Sequence, residues 1–381
     1  MTNDISLYVH IPWCEKKCPY CDFNSHATGA SKGLEPILER QYIQQLLVDL
    51  DRDLETHAID SKVDTLFIGG GTPSLVSAGG IAELIAGLKA RIPFTETAEC
   101  TLEANPGSSD RDKFSGYRQA GVNRLSLGIQ SFSDHSLLQL GRVHNGRDAK
   151  TAIAAAREAG FDNINLDLMH GLPGQSPKDA LFDLEQTEDF APEHVSWYQL
   201  TIEPNTAFYS APPVLPDEES LIEVDEIGLE WLQDQGYRRY EVSAYAKEPN
   251  YRARHNLNYW LFGDYLGIGA GAHGKISGHQ QHKMITRTQK TRVPQHYLAD
   301  PSASLRRLDR AEIPIEFLMN ALRLVEGFTP AQFESTTGLP WSTLQDFIEE
   351  GTKREWLAFG GEHLRTTSTG FIFLDSLLLL I

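Results

Sequence analysis

The chain has 381 residues, 41% hydrophobic and 9% aromatic, enough for a large barrel-like domain with a smaller one beside it. Its 52 acidic and 34 basic side chains leave a net charge of −18, which argues against nucleic acid as the main partner, because phosphate binding rests on a Lys/Arg surplus. The amino terminus lacks the charged start and long apolar stretch of a secretory signal, and the apolar run 377–381 is too short to span a bilayer, so a cytoplasmic protein is expected.

Apolar runs with strand character recur at 6–11, 63–68, 99–104, 124–128, 163–169 and 195–201. Between the first two, Ile43, Leu46, Leu47, Leu50 and Leu54 follow helical spacing. Residues 149–159 are alanine-rich and stop at Gly160, and Ser176-Pro177-Lys178-Asp179 has the form of a helix start. Strand alternating with helix predicts parallel strands, since each crossover needs a helix to bring the chain back. Six such units predict an α/β fold, a partial (β/α)6 TIM-like barrel or an open sheet.

Past residue 205 the alternation weakens. Residues 217–235 read as an acidic amphipathic helix and 237–246 as a strand, followed by a glycine-rich run at 267–274. A boundary is expected near residue 300. Beyond it, helices at 315–325, 330–336 and 341–350 precede strands at 357–359, 364–367 and 371–374, the order of a winged helix. That segment carries seven Lys/Arg against eleven Asp/Glu, so packing on the main domain is expected in place of DNA binding. The predicted division is 1–215 for the partial barrel, 216–300 for an extension and 301–381 for a small α+β domain.

In a parallel α/β fold, ligands gather at the carboxyl ends of the strands. Cys14, Cys18 and Cys21 follow the first strand in a C-x3-C-x2-C spacing. Three close thiolates suit an iron–sulfur cluster with one iron lacking a protein ligand. A zinc knuckle is the alternative, with Cys18 and Cys21 as a C-x-x-C pair and His10 or His26 completing the set. With four cysteines, three of them clustered, a reducing compartment is expected. Gly69-Gly70-Gly71-Thr72-Pro73 follows the second strand, where missing Cβ atoms would let backbone approach a ligand. Glu103, Gln130, Arg142 and Asp167 add groups suited to a polar, zwitterionic ligand.

Together these residues resemble the radical S-adenosylmethionine (SAM) superfamily, within the group holding oxygen-independent coproporphyrinogen dehydrogenases and HemW heme chaperones. The likeness is carried by Cys14, Cys18 and Cys21, by the preceding Tyr8-Val9-His10-Ile11-Pro12-Trp13, and by the GGGTP run 69–73. It spans nearly the whole chain. It implies a [4Fe–4S] cluster on the three cysteines, with the open iron taking the amine and carboxylate of SAM. By the same likeness Tyr8 and Tyr20 flank the cofactor, and Gly70, Gly71 and Thr72 approach its methionine part. Glu103 holds the amine, Arg142 the carboxylate, and Gln130 and Asp167 the ribose.

Two features separate the branches. The dehydrogenases carry a further cysteine where this chain has Phe23, and a longer segment before the first strand. Both departures count against an oxidative decarboxylase of coproporphyrinogen III, which stays as the alternative function, and leave a carrier as the preferred one. His255-Asn256-x-x-Tyr259-Trp260 matches a motif associated with HemW, which implies heme as cargo and heme-acceptor proteins as partners. A neutral imidazole can ligate heme iron, and a Tyr–Trp pair offers flat apolar surface to a macrocycle. His144, His170 and His273 are rival ligands. The resemblance further implies a cluster-promoted homodimer and, if the acceptors are respiratory proteins, transient contact with the membrane surface.

Overall fold

The computed structural model describes residues 4–29, 33–107, 110–278 and 284–381. Six parallel strands lie side by side in chain order: β1 (Ile5–Ile11), β2 (Val63–Gly70), β3 (Phe94–Ala104), β4 (Arg124–Gln130), β5 (Ile164–His170) and β6 (His194–Gln199). Helices α1 (Pro36–His57), α2 (Ala78–Lys89), α3 (Asp110–Ala120), α4 (Gly146–Glu158) and α5 (Pro177–Glu185) return the chain between them. The expected starts and stops are realised locally. Ser176 and Asp179 form a reciprocal capping box at α5, as Asn145 and Asp148 do at α4, each meeting two orphan amides of a first turn. Tyr42, Ile43, Leu46 and Leu50 bury the inner stripe of α1, and Asp49 and Asp53 lie buried on that same face.

The sheet does not stop at six strands. On the β6 edge, β7 (Arg238–Glu241) and β8 (Ala244–Ala246) add an antiparallel hairpin. The single strand expected over 237–246 is thus broken at Val242–Ser243. There the Ser243 amide donates to the Glu241 carboxylate, and the Arg239 guanidinium donates to the Val242 carbonyl. After α6 (Glu218–Asp234) and α7 (Arg254–Trp260), β9 (Tyr265–Ile268) pairs parallel to β1 on the opposite edge. The antiparallel strands β10 (His273–Ser277), β11 (Ile285–Lys290) and β12 (Ala303–Arg307) extend that edge. The order is β12-β11-β10-β9-β1-β2-β3-β4-β5-β6-β8-β7.

Past Arg307 a separate apolar core gathers around Phe317, Phe328 and Phe333, and it also takes in Phe262 and Ile285 from the sheet extension. Helices Ile313–Ala321, Pro330–Thr337 and Gln345–Lys353 and the hairpin β13 (Leu357–Gly360) and β14 (His363–Thr366) build it. The expected third strand, 371–374, is helical instead. Thr367 caps a turn at Ser368–Ile372, and Leu374–Leu378 follows, placing Leu377 in the core. Among the described residues no helix is long and apolar enough to cross a membrane.

Candidate cofactor site

Strand alternation sends successive side chains to opposite faces. On β1 to β3 and β5, Leu7, Val9, Leu66, Ile68, Leu102, Leu166 and Leu168 point outward under the helices and are fully buried. Tyr8, Phe67, Glu103 and Asp167, between them, keep some accessible surface. They lie on the inner face of the sheet, whose rim is at the strands' carboxyl ends.

The cysteine loop closes on itself at that rim. Trp13–Cys14 pairs with His26–Ala27, and the His26 amide donates to the Pro12 carbonyl at 2.7 Å. Each sulfur has a different neighbour: Thr72 Oγ1 donates to Cys14 at 3.4 Å, Arg142 Nη1 to Cys18 at 3.8 Å, and Ser25 Oγ lies 3.7 Å from Cys21. Burial pushes the Cys14 and Cys21 thiols up. Among the described residues no three His, Cys, Asp or Glu side chains converge as a single ion requires. A cubane makes no such demand, since each thiolate ligates its own iron. Phe23, where the dehydrogenases carry their additional cysteine, is 62% exposed.

The glycine run meets this loop. Gly70 has φ +114°, and a Cβ there would lie 2.6 Å from the His10 ring; a Cβ on Gly71 would lie 2.5 Å from the Trp13 carbonyl oxygen. A side chain at Gly71 would displace the backbone that leads into the cysteine loop, and one at Gly70 would displace the His10 ring on β1. Beside it the Gly70 amide donates to Glu103 at 3.1 Å. Burial, reinforced by Asp167, pushes the Glu103 carboxyl up to about 8. Asp167 accepts from Ser126 and Asn165 at 2.9 Å each, and its pKa is also raised by burial. Gln130, with φ +67°, accepts from the Tyr198 hydroxyl at 2.8 Å.

Arg142 ties the rim together. Its Nη2 donates to Asn105 Oδ1 at 2.7 Å and to the Gly128 carbonyl at 2.8 Å, while its buried Nε has no partner. Asn105 donates in turn to Thr72 Oγ1 at 2.9 Å. Tyr20 lies beside Arg142 and Cys18, its ring 6.4 Å from Phe208. Among the described residues no carboxylate pairs with Arg142 and no cation with Glu103. A guanidinium and a carboxyl group, each without an opposite charge, face one interior. Such groups suit a zwitterion, and with three soft thiols and a cradle closed to Cβ atoms the residues fit a cluster with SAM. Asn105 and Tyr198 complete this set without having stood out in sequence. Asn105 follows Glu103 by two at the end of β3, a position that marks it for the rim.

The HNxxYW motif lies on α7, which enters the barrel from the floor. Glu99 accepts from the Arg254 and His255 amides at 3.3 and 3.2 Å and so holds the helix start. His255 is 1% exposed and stacks on Phe67 at 5.1 Å. Thr65 donates to Ser6, so its oxygen accepts from His255 Nδ1 at 2.7 Å, and Nε2 accepts from the Tyr259 hydroxyl at 2.8 Å. Burial drops its pKa to about 3, so the ring is neutral. Both nitrogens are engaged, and ligation of iron by His255 would first have to break one of these bonds. Asn256 is half-buried beside it. Tyr259 and Trp260 continue outward, Trp260 carrying Arg323 over its ring at 4.4 Å. Of the rivals, His144 is buried against the Ile129 carbonyl and His170 against Trp197, whereas His273 is exposed.

Residues 8–186 match the radical SAM superfamily, and residues 308–373 match the HemN C-terminal domain. Over 375 residues the chain is 48% identical to the heme chaperone HemW of Escherichia coli (strain K12), covering 98% of this chain and 97% of that one. The chain belongs to the HemW family of radical SAM proteins. The family likeness extends to the heme chaperone HemW of Bacillus subtilis (strain 168), 35% identical over 91% of this chain and 92% of that one. The solved structure of coproporphyrinogen III oxidase (HemN) from Escherichia coli covers all of this chain and 90% of its own at a TM-score of 0.80. At 21% identity that match establishes the radical SAM fold and nothing about substrate.

Proposed function

We propose that the chain is a cytoplasmic heme chaperone that binds heme and passes it to acceptor proteins. It would hold a [4Fe–4S] cluster on Cys14, Cys18 and Cys21, with SAM on the open iron. The observation that carries the cargo is full-length likeness to proteins named as heme chaperones, in a chain with Phe23 at the dehydrogenase cysteine position. Carrying the cofactor are Arg142 and Glu103, neither paired with an opposite charge among the described residues, beside the three thiols. Arg142 would clamp the SAM carboxylate, Glu103 its amine, and Asp167 and Gln130 the ribose, while Tyr8 and Tyr20 wall the space. The cluster, when bound, supplies redox-active iron with one position open to SAM.

One preparation tests this against the enzyme reading. Anaerobic, cluster-loaded protein is titrated with hemin and, in parallel, given coproporphyrinogen III, SAM and a reductant. Saturable one-site hemin binding without decarboxylation is the expected result. Conversion to protoporphyrinogen IX at the rate of an authentic dehydrogenase would sink the carrier reading.

The Glu103 carboxyl makes SAM binding depend on pH. Its value of about 8 keeps it protonated near neutrality. To accept from the SAM amine as a carboxylate it must first release that proton. SAM should therefore bind more weakly as pH falls, by up to about tenfold for each unit below 8. Calorimetric titration at pH 6.5 and 8 measures the slope, and Glu103→Gln should flatten it. Equal affinity at both pH values would refute the assigned role.

A further inference from the structure

The outer end of the HNxxYW helix opens on a cleft of about 220 Å³, between the sheet extension and the carboxyl-terminal core. Tyr259, Trp260, Phe262 and Tyr265 give it aromatic walls, and Lys275 and Arg287, each paired with a carboxylate, line it as well. Arg287 is a quarter exposed. It donates to the Tyr265 hydroxyl at 3.2 Å and is paired with the carboxylate of Glu316. Two donors nearby are buried without a partner, the indole Nε1 of Trp260 and the Nε of Arg323, which lies over the Trp260 ring. Lys275 is held by Asp264 at 2.6 Å and Arg323 lies 3.5 Å from Glu241, so Arg287, a quarter exposed, is the cation here that a ligand reaches.

We propose that this cleft takes the carboxylate edge of the tetrapyrrole, with Arg287 receiving a propionate in exchange for Glu316. The proposal rests on the heme-carrier reading and deepens it. A guanidinium fork matches a carboxylate bidentately, and the aromatic walls suit the flat ring behind it. A pocket that engulfs a ligand of drug size runs to roughly 300–1,000 Å³. This cleft is smaller, so it grips an edge and leaves the rest of the macrocycle outside, which a protein that hands its cargo on requires. Recognition here needs no bond from His255, whose imidazole is turned to the barrel floor and engaged at both nitrogens.

Hemin and hemin dimethyl ester, titrated into the full-length, cluster-loaded protein, separate the possibilities. The Soret band and tryptophan quenching report binding. The ester should bind about tenfold more weakly than hemin, because it cannot form the charge-assisted pair. Arg287→Gln should weaken hemin by a similar factor and leave the ester unchanged. Glu316→Gln, which releases the guanidinium, should tighten hemin several-fold; opposite signs from two partners of one ion pair do not arise from general damage to the fold. Equal binding of hemin and ester by the unaltered protein overturns the cleft assignment while the carrier reading stands. Absence of any hemin binding removes both.

Discussion

Serine at Cys14, Cys18 or Cys21 should leave the anaerobically purified protein colourless, with iron and sulfide falling from the about four of each per chain expected of the proposed cluster to near zero. The loss should be complete because, on the proposed assignment, the three sulfurs would be the whole protein ligand set, and each has a different neighbour. Cys14 is backed by Thr72 after β2, Cys18 by Arg142 before α4, and Cys21 by Ser25 within the loop. A hard hydroxyl does not replace a soft thiolate on iron. Cys100 is the control. It lies on β3, 3% exposed, with burial pushing its thiol up to about 11, so Cys100→Ser should keep colour and iron. The measurement is iron and sulfide content with the visible absorption of each variant. A colourless unaltered protein holding one zinc would replace the cluster with the zinc knuckle. A brown Cys18→Ser would show that the ligands lie elsewhere.

The βα alternation was legible because six strands are buried on their outer face by helices whose periodicity is plain, as in Ile43, Leu46, Leu47 and Leu50. The rim was legible for a simpler reason: Cys14, Gly69–Gly71, Glu103 and Gln130 each stand at a strand's end. What sequence hid was what depends on distant partners. Asn105 reads as a turn residue before Pro106, and only the fold brings it between Thr72 and Arg142. His255 reads as a polar residue available for ligation, yet Thr65, nearly two hundred positions away, claims its Nδ1. The hairpin at 238–246 was read as one strand because the turn at Val242–Ser243 uses a β-branched residue and a serine, held by the Glu241 and Arg239 side chains in place of glycine or proline. At 371–374 the apolar residues suit either period, and the Thr367 cap with Leu377 in the core decided for helix.

The glycine-rich run 267–274 acquired its meaning only from the fold, and it leads to the second large effect. Asn24, three residues past the last clustered cysteine, donates to the carbonyls of Ala270 and Arg292 at 2.8 and 2.9 Å. Ala270 donates to the Tyr42 hydroxyl, which itself donates to the His10 carbonyl. The Gly269 amide donates to Asp49 at 3.1 Å. Beneath that turn lies a buried charge cluster in which Lys290 Nζ donates to Asp49 at 2.5 Å and to Asp53 at 2.6 Å, and Tyr297 donates to Asp49 at 2.6 Å. Two carboxylates share one ammonium, and Asp53 Oδ2 has no partner. The cysteine loop is therefore tied through the turn to an ion cluster on α1.

Lys290→Met should destabilise the protein by about 3–5 kcal/mol at pH 8, because it strands two buried carboxylates without a counter-charge. The loss should shrink at pH 5. Burial, with Asp53 adding repulsion, pushes the Asp49 carboxyl up to about 6 even though Lys290 pulls it down. A carboxyl whose folded value lies above its unfolded one binds its proton more tightly when folded, so its contribution is full in acid and lost as pH rises through about 6. Without Lys290 the folded value climbs further, and the penalty grows between pH 5 and 8. His57, held down by burial and by Lys290, is freed to protonate in acid and acts in the same direction. Anaerobic urea unfolding of both proteins at the two pH values, followed by circular dichroism, reads the difference. Adding Asp49→Asn and Asp53→Asn to Lys290→Met should recover most of the loss, since neutral side chains need no counter-charge. A penalty that ignores pH, or one the asparagines do not relieve, would mean that packing around the lysine stem, and not its charge, holds α1 to the turn behind the cysteine loop.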